Sequence, residues 1–272
     1  MTAWWWMTFR SGESVGQRRT IDLNADVGEA TDEAGIDVER ALLRLVTSVH
    51  IACGGHAGNE VSMQATVRAA LACGVRIGAH PSYPDRDGFG RRPMEMDPLA
   101  LESALRAQIQ ALVDVGRGAG TSVATVKAHG ALYGEVAKGG AAFAALREAV
   151  RGTCPGAVLV LRSGSPAADA ARRDGVAVWE EGFCDRAYTA TGELIERRAA
   201  GAVLSHPSMA ARQAVSLARD GAVELADGSV LHLRVDTLCV HGDSPGAVAI
   251  ATQVRRTLEE SGMDVVAPPG GP

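Results

Sequence analysis

From residue 20 onward, short β-branched and apolar runs alternate with longer stretches rich in Ala, Leu and Arg. That alternation predicts repeated βα units around a parallel sheet. Strands are expected at 20–24, 48–53, 75–80, 122–127, 157–161, 176–179 and 237–241, and helices at 37–45, 61–72, 98–117, 141–150, 166–173, 208–218 and 245–260. Such a set closes, or nearly closes, a seven-stranded parallel (β/α) barrel of the TIM type. One interruption, from Ala222 to Arg234, reads as two short strands about an Asp227-Gly228 turn, a surface hairpin ahead of the last strand. The body shows no linker and no low-complexity block, so residues 20–266 read as one domain. Residues 1–19, with their short aromatic cluster, read as a disordered extension, and 267–272 as a frayed tail.

Composition narrows the chemistry. Of 272 residues, 46% are hydrophobic and 22% charged, an ordinary soluble balance. The net charge of -5 offers no basic footprint for nucleic acid or an anionic membrane. Cys53, Cys73, Cys154, Cys184 and Cys239 form no CxxC pair and no disulfide framework, which fits a reducing cytoplasm. No GxxxxGK[ST] and no GxGxxG follows a strand, so nothing reads as an ATP or dinucleotide module.

The polar residues fall where the expected strands end. Asn24 and Asp26, then Glu29, follow the first; Cys53 and His56 the second; His80 the third; Lys127 and His129 the fourth; Glu180, Glu181 and Asp185 the sixth; His241 and Asp243 the seventh. In parallel βα folds the carboxyl ends of the strands open on one face, where ligands bind. Taken singly, each such residue is a turn former, a helix cap or a buried hydrogen-bonding group. Together they define a catalytic rim.

Asp26, His56, His80, Glu181 and His241 are candidate proton donors or acceptors, and Lys127 suits a developing oxyanion or a phosphate. Asn24, Gly54, Arg91, His129, Asp185 and Asp243 are candidate substrate contacts, with Arg91-Arg92 able to grip a carboxylate. Cys53 is a weak nucleophile candidate because no activated Cys-His pair is readable. Asp26 and His56 with His80 or His241 would suit a divalent ion, but no diagnostic local spacing supports a firm metal site.

Several stretches resemble the LamB/YcsF family: Asp22-Leu-Asn-Ala-Asp-Val-Gly-Glu29, Ile51-Ala-Cys-Gly-Gly-His-Ala-Gly58, residues 78–92 around Gly78-Ala-His-Pro-Ser-Tyr-Pro, Val126-Lys-Ala-His-Gly-Ala-Leu-Tyr133, Glu181-Gly-Phe-Cys-Asp-Arg-Ala-Tyr188 and Leu238-Cys-Val-His-Gly-Asp-Ser-Pro-Gly246. They span almost the whole body in order. The resemblance implies a seven-stranded barrel similar to glycoside hydrolase and deacetylase barrels. It also implies the A subunit of an ATP-dependent 5-oxoprolinase, which opens 5-oxo-L-proline to L-glutamate. Partner subunits B and C, and ATP with magnesium handled mainly by those partners, come with it.

Three departures stand out. Ala25 replaces a frequent cysteine, Gly55 a frequent phenylalanine, which is expected to widen the pocket, and Ala128 a usual proline. A stand-alone metal-dependent deacetylase and a non-catalytic substrate-binding subunit remain as alternatives.

Overall fold

Strand β1 (Thr20–Val27) alternates strictly. Ile21, Leu23, Ala25 and Val27 lie in the main apolar core, while Asp22, Asn24 and Asp26 face the opposite way. That two-residue period sorts the strand between two environments. The apolar face meets the surrounding helices and the polar face lines the barrel interior.

The computed structural model describes residues 19–244 and 246–267. Of the expected extension (1–19) and tail (267–272), residues 1–18 and 268–272 lie outside the described residues. After β1 come α1 (Glu33–Leu42), β2 (Ser48–Ala52), α2 (Glu60–Ala72), β3 (Arg76–His80), α3 (Pro98–Gly118), β4 (Thr125–Val126), α4 (Gly130–Ala137), α5 (Gly140–Thr153), β5 (Val158–Arg162), α6 (Pro166–Arg173) and β6 (Val178–Phe183). The chain continues through α7 (Pro207–Asp220), β7 (Ala222–Glu224), β8 (Val230–His232), β9 (Thr237–Cys239), α8 (Ala247–Glu260) and β10 (Asp264–Val265). Strands β1 to β6 and β9 pair in parallel, and β9 returns to β1, which closes a seven-stranded barrel. The hairpin is present as the antiparallel pair β7–β8.

Local sequence explains most helix starts. Asp32, Asn59 and Ser165 accept backbone N–H groups at the heads of α1, α2 and α6, and proline occupies the first turn of α3, α6 and α7. Helix α4 is absent from the expected set because glycines at 130 and 134 dilute its pattern. The two-residue β10, pairing with the start of β1, is also additional.

The barrel interior is unusually polar. At its amino-terminal end Asp22 accepts hydrogen bonds from Thr47 Oγ1 (2.6 Å), Ser48 Oγ (2.7 Å) and Thr237 Oγ1. Burial pushes the Asp22 carboxyl pKa up, and these hydroxyls partly offset it. Val158, Val160 and Trp179 form a separate apolar cluster on the β5–β6 wall.

Four expected strands shift by more than one residue: β1 runs on to Val27, β9 stops at Cys239, and β4 and β6 move as well. β6 starts at Val178 and runs to Phe183, so Glu180 and Glu181 are strand residues rather than loop residues. Alternation sends Glu181 inward and Glu180 outward to Arg172 and the Gly164 N–H. β4 reduces to Thr125 and Val126, although the Lys127 N–H still reaches the Ala79 carbonyl at 3.0 Å.

Candidate active site at the barrel mouth

Lys127 projects into the barrel and is 2% exposed. Its ammonium lies 2.7 Å from Asp26 Oδ1, 3.0 Å from Glu181 Oε1 and 3.1 Å from Asn24 Oδ1. An ammonium has three donors. They are directed to Glu181, Asn24 and Cys239 Sγ (3.5 Å), with Asp26 held as an ion pair, so Lys127 orders two carboxylates. Burial opposes its charge, but Asp26 foremost among the acidic groups around it holds its pKa well above the usual range. Burial likewise opposes ionisation of Asp26, and the charges of His80 and Lys127 outweigh it, keeping that carboxyl well below its ordinary value. Asn24 completes the set by donating to Glu181 Oε1 (3.0 Å) and Thr237 Oγ1 (2.7 Å).

Beside this network sits a histidine cluster. His80 Nδ1 donates to the Lys127 carbonyl at 2.8 Å, and His129 Nε2 donates to the Phe89 carbonyl at 3.0 Å. Their other nitrogens, His80 Nε2 and His129 Nδ1, face each other at 3.0 Å. His80 Nε2 is also 3.2 Å from Asp26 Oδ2. His56 stacks on His129 with ring centres 3.6 Å apart, and its Nε2 is 2.8 Å from Glu29 Oε1. Burial lowers the His56 pKa to about 4 and lowers that of His129 as well. Burial would raise the Glu29 carboxyl, but hydrogen bonds from His129 and His56 hold it low. One potential ligand atom from each of Glu29, His56, His80 and His129 lies within 4.8 Å of the other three.

On the opposite side, His241 Nδ1 meets Asp185 Oδ1 at 2.8 Å and the ring stacks on Phe183. Its Nε2 has no hydrogen-bond partner among the described residues. Asp185 is fully buried; burial raises its pKa, but His241 and its hydrogen bonds bring the carboxyl below the ordinary value. At the rim Asp243 bridges Arg91 (2.5 Å) and Arg197 (2.6 Å). These elements surround a cavity of about 610 Å³ whose wall includes Asp26, His80, Lys127, His129, Tyr133, Glu181, Arg186, Arg197 and His241. Three atoms of that wall, Asp26 Oδ1, Glu181 Oε2 and Tyr133 Oη, are buried without hydrogen-bond partners. Burial, then the charge of Glu181 and the approach of the hydroxyl to that carboxylate, pushes the Tyr133 hydroxyl well above its usual range, so it stays a donor.

Of the expected site residues, the structure thus gathers Asp26, His80, Lys127, His129, Glu181, His241 and Arg91 around one cavity, with Asn24, Asp185 and Asp243 directly behind or above it. His56 belongs to the histidine cluster and does not line the cavity. Gly54 is a correction: it forms the turn after β2, with its N–H on the Ala57 carbonyl and its own carbonyl on Arg86. Gly55 is a second. A Cβ there would collide with Gln108 Oε1 and Ser82 Oγ, so the position packs against α3 and widens nothing. Arg92 pairs with Asp85 and not with a ligand site.

The expected divalent set also changes. His241 stands apart with Asp185, and the four converging ligand atoms include Glu29 and His129 instead. Burial pushes the Cys53 thiol up to about 12, which removes it as a nucleophile. Sequence reasoning missed Tyr133, Arg186 and Arg197; the first two lie within the family-like stretches, and Arg197 carried no sequence signal.

A sequence profile of the LamB/YcsF family matches residues 21–270. The chain belongs to this family. It is 44% identical over 245 residues to the 5-oxoprolinase A subunit 1 of Agrobacterium fabrum, covering 90% of this chain and 96% of that protein. It is likewise 44% identical over 249 residues to the 5-oxoprolinase A subunit of Methylococcus capsulatus, covering 92% and 96%. Among solved structures, the lactam utilization protein of Thermus thermophilus superposes with a TM-score of 0.84 at 37% identity, covering 92% of this chain and all of that one. A putative cellobiose-phosphate cleavage protein of Enterococcus faecalis shares the fold, at a TM-score of 0.60 and 13% identity over 92% of this chain and 97% of that one.

Proposed function

We propose that this LamB/YcsF chain is the A subunit of a 5-oxoprolinase and performs the ring-opening step on 5-oxo-L-proline. The observation that carries this reading is the free, buried Glu181 Oε2 in the wall of a cavity that also presents the Asp185–His241 pair. A lactam is resonance-stabilised and its nitrogen leaves poorly, so phosphorylation of the amide oxygen by ATP would activate it. ATP with magnesium is assigned to partner subunits B and C, in keeping with the missing nucleotide motif.

Within the cavity, Glu181 Oε2 accepts a hydrogen bond from the attacking water and takes its proton as the water oxygen joins the ring carbonyl carbon. Tyr133 donates to the oxygen on which charge develops. His241, oriented by Asp185, protonates the nitrogen as the carbon–nitrogen bond breaks, leaving an acyl phosphate that a second water hydrolyses to glutamate and phosphate. Arg197, Arg91 and Arg186 supply the positive rim for the substrate carboxylate. Lys127 keeps Asp26 ionised and holds both Asp26 and Glu181 in place. We place residues 20–266 as one domain working in the cytoplasm; no helix among the described residues is long and apolar enough to cross a membrane.

The test is glutamate release from 5-oxoproline by the purified chain, with and without subunits B and C, ATP and magnesium. Turnover confined to the full mixture supports the subunit reading. The cluster around Glu29 favours a second reading, a metal-dependent amide hydrolase acting alone, which predicts chelator-sensitive turnover without ATP.

A further inference from the structure

The tautomers of His80 and His129 leave a gap in the bonding at the barrel mouth. A carbonyl oxygen can only accept, so His80 Nδ1 and His129 Nε2 both carry hydrogen. The remaining nitrogens point at each other across 3.0 Å, with Glu29 Oε1 3.3 Å from His129 Nδ1 and 3.9 Å from His80 Nε2, and Asp26 Oδ2 3.2 Å from His80 Nε2. Acceptors crowded in this way need positive charge among them, which either protons on the imidazoles or a bound cation supplies.

We propose that Glu29, His56, His80 and His129 form a binding site for one divalent d-block cation of zinc type. Three imidazoles and one carboxylate are the donor set such ions favour over magnesium or calcium. For metal–ligand bonds of about 2.0–2.1 Å, neighbouring donors of a tetrahedron lie roughly 3.3 Å apart. The measured pairs, 2.8, 3.0, 3.3 and 3.9 Å, bracket that spacing. His56 enters as its Nδ1–H tautomer, exchanging its bond to Glu29 for one to the cation.

The surroundings are built for this use. Ligand imidazoles characteristically donate their second N–H to a carbonyl or carboxylate, which aims the ring. His80 and His129 both do so. Phe89, whose carbonyl holds His129, is the non-glycine residue with a positive φ (53°) among the described residues. That left-handed backbone is costly and turns a carbonyl where the ring needs it. Gly130 permits the same close approach: a Cβ there would lie 2.5 Å from the Gly90 carbonyl oxygen. The four donors come from the segments after β1 and β2, the end of β3 and the residue before α4. A cation here would tie four parts of the barrel mouth together, whatever substrate the cavity takes.

The experiment is metal analysis of the full chain after dialysis against zinc chloride and then against metal-free buffer, alongside His129→Gln, Glu29→Gln and, as a surface control, His232→Gln. The expected result is one zinc per chain in the wild type and the control. In both ligand variants affinity falls by more than the roughly 100-fold that loss of an outer-shell partner causes. Titration of the metal-free wild type with cobalt(II), which needs no variant to fold, is expected to give the strong visible absorption of a tetrahedral site and a rise in thermal midpoint. Absence of stoichiometric zinc, uptake that either ligand variant leaves unchanged, or only the faint absorption of a six-coordinate surface ion overturns the site. None of these readouts depends on 5-oxoproline turnover.

Discussion

Lys127 Nζ sits 2.7 Å from Asp26 Oδ1 inside the barrel, and the same ammonium holds Glu181 at 3.0 Å. Removing it leaves two buried carboxylates facing each other. Loss of one partner of a buried pair costs about 3–5 kcal/mol. Lys127→Met is therefore expected to unfold at markedly lower denaturant, and adding Asp26→Asn to recover part of that loss. Urea titrations of the two variants check this; an unchanged midpoint in Lys127→Met contradicts it.

Tyr133 places its hydroxyl near Glu181 in the cavity wall and loses little packing as phenylalanine. Removal of a donor that meets developing charge costs about 10²–10³ in kcat. Tyr133→Phe in the reconstituted enzyme should show that loss with KM nearly unchanged. A change confined to KM would assign Tyr133 to ground-state binding instead.

Arg197 reaches Asp243 and Ser244 from the rim and lines the cavity. A charge-assisted hydrogen bond to a carboxylate is worth about 1.5–3 kcal/mol, or roughly 10- to 100-fold in binding. Arg197→Leu is expected to raise KM for 5-oxoproline by that factor while kcat stays within a few-fold. Steady-state kinetics at saturating ATP measure it.

His50 lies buried in the barrel interior with neither ring nitrogen hydrogen-bonded, and burial lowers its pKa to about 4 from an ordinary 6.5. The unfolded chain takes up this proton near 6.5, but the folded chain refuses it until about 4. Stability contributed in full above 6.5 is lost progressively as pH falls through that window. His50→Gln should flatten the dependence of unfolding free energy on pH there by up to about 1.4 kcal/mol per pH unit. Equal slopes for the variant and the wild type would refute the assignment.

The barrel was legible because its signals are local. β1 alternates apolar and polar residues, apolar runs recur at βα spacing, and Asn59, Asp97 and Ser165 mark helix starts. Strand ends were legible only to within a few residues, and in a strand one residue exchanges the two faces. That is why Glu180 and Glu181 read alike along the chain, yet one binds Arg172 outside the barrel and the other Lys127 inside.

The sequence by itself determined that this is a parallel βα barrel with its titratable groups at the carboxyl ends of its strands, because periodicity and topology decide both. Tertiary structure alone decided which groups meet. His80 and His129, or Lys127 and Glu181, are separated by 49 and 54 positions and come within 3.0 Å through barrel closure. Gly55 shows the converse, since a position next to a rim histidine faces the α3 side chain of Gln108 and not the cavity. Distances and orientations between separate strands depend on how the barrel closes and twists, and no local pattern of residues encodes them.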